Sequence, residues 1–559
     1  MVGLSYKTRR KMISMKGSLR QLDGSPICPS LHNHFIKEIC YHHTSTEYLR
    51  TTSSSKRCYF EQLSMWNQYA PRVYIGLVLC FPFDNAGNNR LRAERHIRES
   101  LNRLAEARPD FAARLRVDTE GCASLQRCPT FKIPLGVSSR DERHADKLAP
   151  DYESQKSAGF PPSMFIHKDL VSPGVATEAN GGVPVSQVRL KFVDGGLYLM
   201  LQLHHALFDG CSMGIFLDCF AAQQTRSEKI IHLEYPKEQL FIPARNSQRI
   251  ITSDQSRSRL DRVRHRMFEY FASQCPEYAI LPDKSGPTQP KVEHSAVPMA
   301  KIKRSGKIFV FRNDRLQALR EMVRRELNAE KLPTSYTVLA ALTWAHVVQA
   351  RHRHESYMPG ERRMNSQGEA DSEADETDSN NKQSSLWNSV SWRPRANKEE
   401  ATEYFGNAVL PVVTRLPLQT VLEACSSINH LATQLVPQVQ ETISTVDQIY
   451  VDKREAMMRM APDPRLVGVN YDPRMREMVH FNTWRHFGAN TEWMIPGVPV
   501  QRTEAIRRVH GEWNLGTALI LPAPADAETQ ELFVSLSVDA MEALCRDQEW
   551  MEWVDRVIG

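Results

Sequence analysis

Close cysteine spacing is missing from this 559-residue sequence: its eleven cysteines include no C-x-x-C pair. A zinc ribbon or a disulfide framework needs such pairing, so both are excluded and no metal is expected. Buried, reduced thiols in a cytoplasmic protein fit the pattern instead. Long apolar runs are missing too. The longest lies at Val73–Phe83 and is closed by Pro82 and Asp84, far short of the roughly 20 residues that span a bilayer. No membrane span is expected. No apolar leader segment precedes a small-residue cleavage site, and no internal repeat of fixed period is found.

Acidity is scarce in one place only. The first 58 residues hold ten Lys and Arg against three acids, although the whole chain is only +6. The remainder is therefore close to neutral and gives no electrostatic reason to bind nucleic acid. The basic stretch, 1–58, reads as a disordered extension or a start-site artefact.

What is present is an ordinary globular composition, 41% apolar and 24% charged. A chain this long exceeds one hydrophobic core, so two halves are expected. We place them at 59–285 and 304–559, joined by a crossover at 286–303. Residues 362–385 hold almost nothing apolar and many acids, and read as a disordered surface insertion. Val73–Phe81 reads as a buried strand, Arg90–Glu106 as a helix with Ala93, Ile97, Leu101 and Leu104 on one face, and Leu115 as a return strand. The second half opens with strand Lys307–Phe311, helix Asp314–Leu327 and helix Tyr336–Arg351. It ends with strands Ala518–Leu521 and Leu532–Leu536 and a helix Asp539–Val557. The fold class is α/β.

Gly195–His205 is the most informative strand. Leu197, Leu199, Leu201, Leu203 and His205 share one parity, and side chains alternate faces along a strand. If the strand runs that far, His205 points inward and His204 outward. Asp209-Gly210 then turns the chain, and Ser212 can cap a helix beginning near Met213. An inward imidazole at a strand end suits a general base for a hydroxyl proton. Asp209 either orients His205 or pairs with an arginine. The competing interpretation is a core histidine pair with no catalytic work.

His204-His205-Ala206-Leu207-Phe208-Asp209-Gly210 resembles the His-His-x-x-x-Asp-Gly motif of acyl-CoA-dependent acyltransferases of the chloramphenicol-acetyltransferase fold. Other segments are similar to the fungal, trichothecene-acetyltransferase and BAHD members in order along the chain. These are Leu63–Phe83, Pro109–Leu115, Pro333–Arg351, Ser391–Arg395, Tyr404–Ala408 and Asn482–Trp484. The resemblance implies two acyltransferase halves, each a mixed sheet with helices, with a channel between them. It also implies His205 as base, a structural Asp209 bonded to an arginine, for which Arg393 is the candidate, and Gly210 allowing a tight turn beside the thioester. Asn482, Thr483 and Trp484 would line the acceptor side, although Trp484 reads equally well as core. The co-substrate implied is an acyl-CoA, with acetyl-CoA expected, and the acceptor implied is a secondary-metabolite alcohol. No permanently bound cofactor, no metal and a monomer are implied.

Two departures stand out. Thr491–Gly497 replaces the family's Asp-Phe-Gly-Trp-Gly element, and Trp66-Asn67 stands where Leu-Asp is common. One rival shares the motif: Gly210-Cys211-Ser212-Met213-Gly214 satisfies G-x-S-x-G, the nucleophile elbow of α/β-hydrolases, with Asp472 and His510 downstream. That elbow needs a strand leading straight into its glycine, which is not the context here. A non-catalytic acyltransferase-like binding protein is the other alternative. Arg351–His354 reads as a solvated helix end, and Tyr41-His42-His43 lacks a strand.

Overall fold

A computed structural model describes residues 58–119, 121–138, 151–166, 181–225, 254–281, 297–354, 382–396 and 404–559. The basic stretch with Tyr41–His43, most of the crossover and residues 362–381 lie outside them. The first main sheet is built from β1 (Tyr74–Pro82), β2 (Leu135–Ser138), β3 (Ser186–Val193) and β4 (Gly196–His204). Its order is completed at the β1 edge by a late strand, described below. β1, β4 and β3 run antiparallel, and β2 joins β3 in parallel.

The leucine alternation in β4 explains its central place. Leu197, Leu199, Leu201 and Leu203 all enter the main core, while Tyr198 and Met200 enter a smaller cluster on the opposite face. Each fully buried leucine contributes about 2 kcal/mol. Helix α1 (Asn89–Ala107) buries Ala93, Ile97, Leu101 and Leu104 on the leucine side. Helix α2 (Gly210–Thr225) adds Met213, Phe216, Leu217 and Phe220 to the same core.

The second sheet has seven strands and begins with β5 (Arg304–Arg312). Helices α3 (Asn313–Glu326) and α4 (Ser335–His354) follow, and they fill a second core with Trp344 fully buried. Next come β6 (Gln383–Ser391), β7 (Val409–Pro417) and β8 (Met478–Thr483). β9 (Ala505–Val509) leaves this sheet and pairs antiparallel with β1 of the first one. β10 (Thr517–Ile520), β11 (Thr529–Ser537), helix α5 (Val538–Arg546) and β12 (Arg556–Ile558) close the chain. The order is β7-β6-β8-β10-β11-β5-β12. β6, β8 and β10 are parallel neighbours.

Several expectations are corrected. The closing helix stops at Arg546 because Asp547 leaves helical geometry and caps a short second turn through Trp550 N, and Val557 lies in β12. The acidic insertion ends earlier than 385, since Gln383–Ser385 already pair with Arg415–Pro417. Arg351 is not solvated: it is fully buried and donates to Met478 O (2.6 Å) and Pro473 O (2.7 Å), which anchors the start of β8. The cysteines are not all reduced. Cys58 is bonded to Cys128, joining strand Tyr59–Gln62 to strand Ala123–Arg127 with Cα atoms 4.2 Å apart. Pairing of those two strands brings the partners together from 70 residues away, a closeness that cysteine spacing does not reveal. Among the described residues no helix is long and apolar enough to cross a membrane.

Candidate active site

β4 ends at His204, one residue short of the motif's second histidine. His204 is fully buried, its ring edge-on to Tyr74 at 5.1 Å, and its Nδ1 accepts from Ala206 N (3.1 Å). His205 opens the turn that follows, and its N–H donates to Val73 O (2.8 Å). The side chain is only partly exposed. Its Nδ1 lies 3.1 Å from Asn407 Oδ1. An amide oxygen can only accept, so Nδ1 carries the hydrogen and Nε2 holds the lone pair.

Asn407 is itself held rigidly. Its Nδ2 donates to His205 O (2.8 Å) and to Asn67 Oδ1 (2.9 Å), and its backbone N donates to the same Asn67 oxygen (2.8 Å). Asn67 is therefore the floor beneath the Asn407–His205 contact. Burial pulls the His205 pKa below the ordinary imidazole value, and the positive Arg508 pushes the same way. Hydrogen bonds to its own backbone carbonyl and to Asn407, with the charge of Asp209, act upward. The neutral, proton-accepting form is favoured at neutral pH.

Asp209 does not touch the imidazole. It is 1% exposed and saturated: Arg393 Nη1 donates to Oδ2 (2.7 Å), Arg393 Nη2 to Oδ1 (3.2 Å), Ala408 N to Oδ2 (2.9 Å) and Ser212 N to Oδ1 (2.9 Å). That last bond makes Asp209, not Ser212, the cap of α2. Arg393 also donates to Tyr404 O and Gly406 O (3.1 and 2.7 Å). Burial disfavours its charge, but Asp209 holds its pKa above the ordinary guanidinium value. The pair bolts the Tyr404–Ala408 segment, and with it Asn407, against the start of α2.

Ser212 is fully buried, and its hydroxyl donates to Gly406 O (3.0 Å) while accepting from Gly406 N (3.0 Å). Gly406 adopts φ +137°, which suits glycine. Ser212 lies inside a helix with both hydroxyl functions engaged, the opposite of an exposed nucleophile. Asp472 is spent on Arg474 (2.8 Å), and His510 is buried against Phe533. Nothing assembles a hydrolase triad from these residues. Gly210 is needed for space, not for a left-handed turn: a Cβ there would lie 2.1 Å from the Phe487 ring.

Asn482, Thr483 and Trp484 separate by parity. Asn482 Oδ1 accepts from Thr483 N (2.7 Å), and Trp484 packs into the main core at 7% exposure with the Arg508 guanidinium 5.4 Å from its ring centroid. Thr483 faces a cavity of about 390 Å³ that Asn313, Gln317, Arg320, Tyr336, Arg485 and His486 also line. No carboxylate contributes to that lining. Within Thr491–Gly497, Trp493 is buried against Phe81 and Phe220, so the altered element keeps a packing role. Among the described residues no group of His, Cys, Asp and Glu is arranged to hold a metal.

His205, its Asn407 support and the buried Asp209–Arg393 pair come together from distant parts of the chain. The Transferase family model matches residues 168–551. The chain belongs to the Transferase family. Within it, residues 73–223 of this transferase match the trichothecene 3-O-acetyltransferase-like N-terminal domain. Acyltransferase easC of Emericella nidulans is 25% identical over 300 residues, which cover 52% of this chain and 58% of that protein. Trichothecene 3-O-acetyltransferase TRI101 of Fusarium sporotrichioides is 27% identical over 170 residues, 28% of this chain and 36% of that one. The matched stretches thus span less than two thirds of either relative. The crystal structure of F. sporotrichioides TRI101 complexed with coenzyme A and T-2 superposes with a TM-score of 0.63 at 17% identity, covering 90% of this transferase and 100% of that chain. The α/β architecture of two sheet-and-helix halves read from the sequence is the one observed.

Asn67 and Asn407 are the residues supporting His205 that sequence reasoning did not single out. Tyr404–Ala408 resembles a segment of the family, but nothing in it marks Asn407 as the partner of a histidine 202 residues away.

Proposed function

We propose that this transferase moves an acyl group from an acyl-CoA to the hydroxyl of a small secondary metabolite, with His205 as general base. The observation that carries the reading is the His205–Asn407 bond, which leaves Nε2 unprotonated on a partly exposed ring. Nε2 takes the hydroxyl proton as the oxygen attacks the thioester carbonyl carbon. The tetrahedral intermediate then expels the CoA thiolate, which recovers the proton from the imidazolium. Acyl donor and acceptor are bound together and no acyl-enzyme forms.

Asp209 and Arg393 serve this step by fixing the platform beneath Asn407, since geometry errors of an ångström are costly in catalysis. The basic cavity beside Thr483 supports an acyl-CoA as co-substrate, because Arg320, Arg485 and His486 offer donors to phosphate oxygens without a competing carboxylate. The names and ligands of the relatives favour acetyl as the group and a fungal terpenoid-like alcohol as the acceptor. The test is thiol release from acetyl-CoA and longer acyl-CoAs across a panel of metabolite alcohols. Wild-type release that disappears in a folded His205→Ala variant supports the reading; retention of most activity overturns it.

A further inference from the structure

β9 carries two adjacent arginines with opposite fates. Arg507 forks onto Glu531 (2.7 and 3.0 Å) and donates to Phe160 O and Gly159 O. Arg508 pairs across from Leu77 of β1 and points to the same side of the sheet as that core leucine. Its guanidinium lies over Trp484, 5.4 Å from the ring centroid. Among the described residues no carboxylate, carbonyl or hydroxyl accepts a hydrogen bond from it. Burial pulls its pKa down to about 10, and no acid offsets that pull. Its electrostatic neighbours are His205 and His510, neither of which can neutralise it. The side chain is nevertheless half-buried and not sealed.

A half-buried guanidinium that no acid or carbonyl of the described residues engages keeps its donors open to an anion that arrives from solvent. Planar donors on an aromatic floor form a receptor for a carboxylate held in two hydrogen bonds. We propose that Arg508 receives a carboxylate carried by one of the two reacting molecules, the acyl thioester or the acceptor alcohol, beside His205. This rests on the transferase reading above and adds a selectivity to it. It also couples binding to chemistry. Arg508 opposes protonation of His205 in the empty site, and a carboxylate seated on it cancels that opposition, so the base strengthens when the matching substrate arrives.

The test measures binding to the full chain by calorimetry, with two matched pairs of probes. Malonyl-CoA against propionyl-CoA examines the donor, and mandelate against methyl mandelate examines the acceptor. A charge-assisted contact predicts that wild type prefers one charged probe by roughly tenfold or more. In Arg508→Met that preference collapses to within about twofold, and Arg508→Lys keeps part of it. The pair that shows the loss identifies which molecule carries the carboxylate. Wild-type indifference within both pairs, or equal weakening of charged and neutral probes in Arg508→Met, overturns the proposal. Because binding is read without turnover, a charged-probe preference in a chain that releases no CoA would sink the transfer reading alone.

Discussion

His204 and His205 are neighbours in sequence and occupy opposite surroundings. One is sealed beneath Tyr74 at the last rung of β4, and its ring nitrogen satisfies a turn N–H. The other begins the turn, remains partly open, and is oriented by an amide from the segment that leads into β7. The contrast teaches that the sheet's end separates a sealed, structural imidazole from an accessible one, and the proposed function assigns the chemistry to the second.

The sharpest way to break this contrast is to remove each ring. His205→Ala should lower kcat for CoA release by roughly 10²–10⁴-fold, the usual worth of a positioned base, with little change in Tm. Asp209→Ala comes next. It strands four donors, two of them on the buried Arg393, and should cost about 3–5 kcal/mol in denaturant unfolding. His204→Ala should cost about 2–4 kcal/mol through lost packing and an orphaned Ala206 N, while the folded fraction keeps most of its kcat. If His204→Ala removed kcat without loss of stability, the division of labour would be reversed.

Asn407→Ala gives the finest probe. Freed of its support, the imidazole samples the wrong tautomer, and kcat should fall by roughly 10–100-fold. The pH dependence carries a sign. The wild-type pKa of His205 is lowered by burial, so the acid limb of kcat/KM should have its midpoint below the ordinary imidazole value of about 6.5. The Asn407 bond acts upward on that pKa, so the variant's limb should move to still lower pH. A limb moving upward would show that the amide does not hold the proton on Nδ1.

The sequence made β4 legible because four alternating leucines leave little choice of face, and it made α1 legible through Ala93, Ile97, Leu101 and Leu104. The alternation did not carry as far as His205, because β4 ends at His204, which is buried instead of facing outward; only the family motif singles out His205. What escaped were relations between distant segments. The Cys58–Cys128 bond depends on strand pairing, and the break at Asp547 depends on a side chain reaching both Trp550 N and His346 Nδ1 (2.7 Å). Arg351 reads as charged and terminal, yet two carbonyls far along the chain draw it inside. Asn407 is the same lesson at the site: its tautomer-setting role exists only when the two sheets meet.

The departure of β9 from its own sheet has a mechanical consequence. Residues 505–509 are stitched to residues 76–80 by a full ladder, although more than 400 residues separate them. The halves cannot swing apart like a hinged clamp without stripping that strand away. A cut in the crossover should therefore leave two fragments that still travel together.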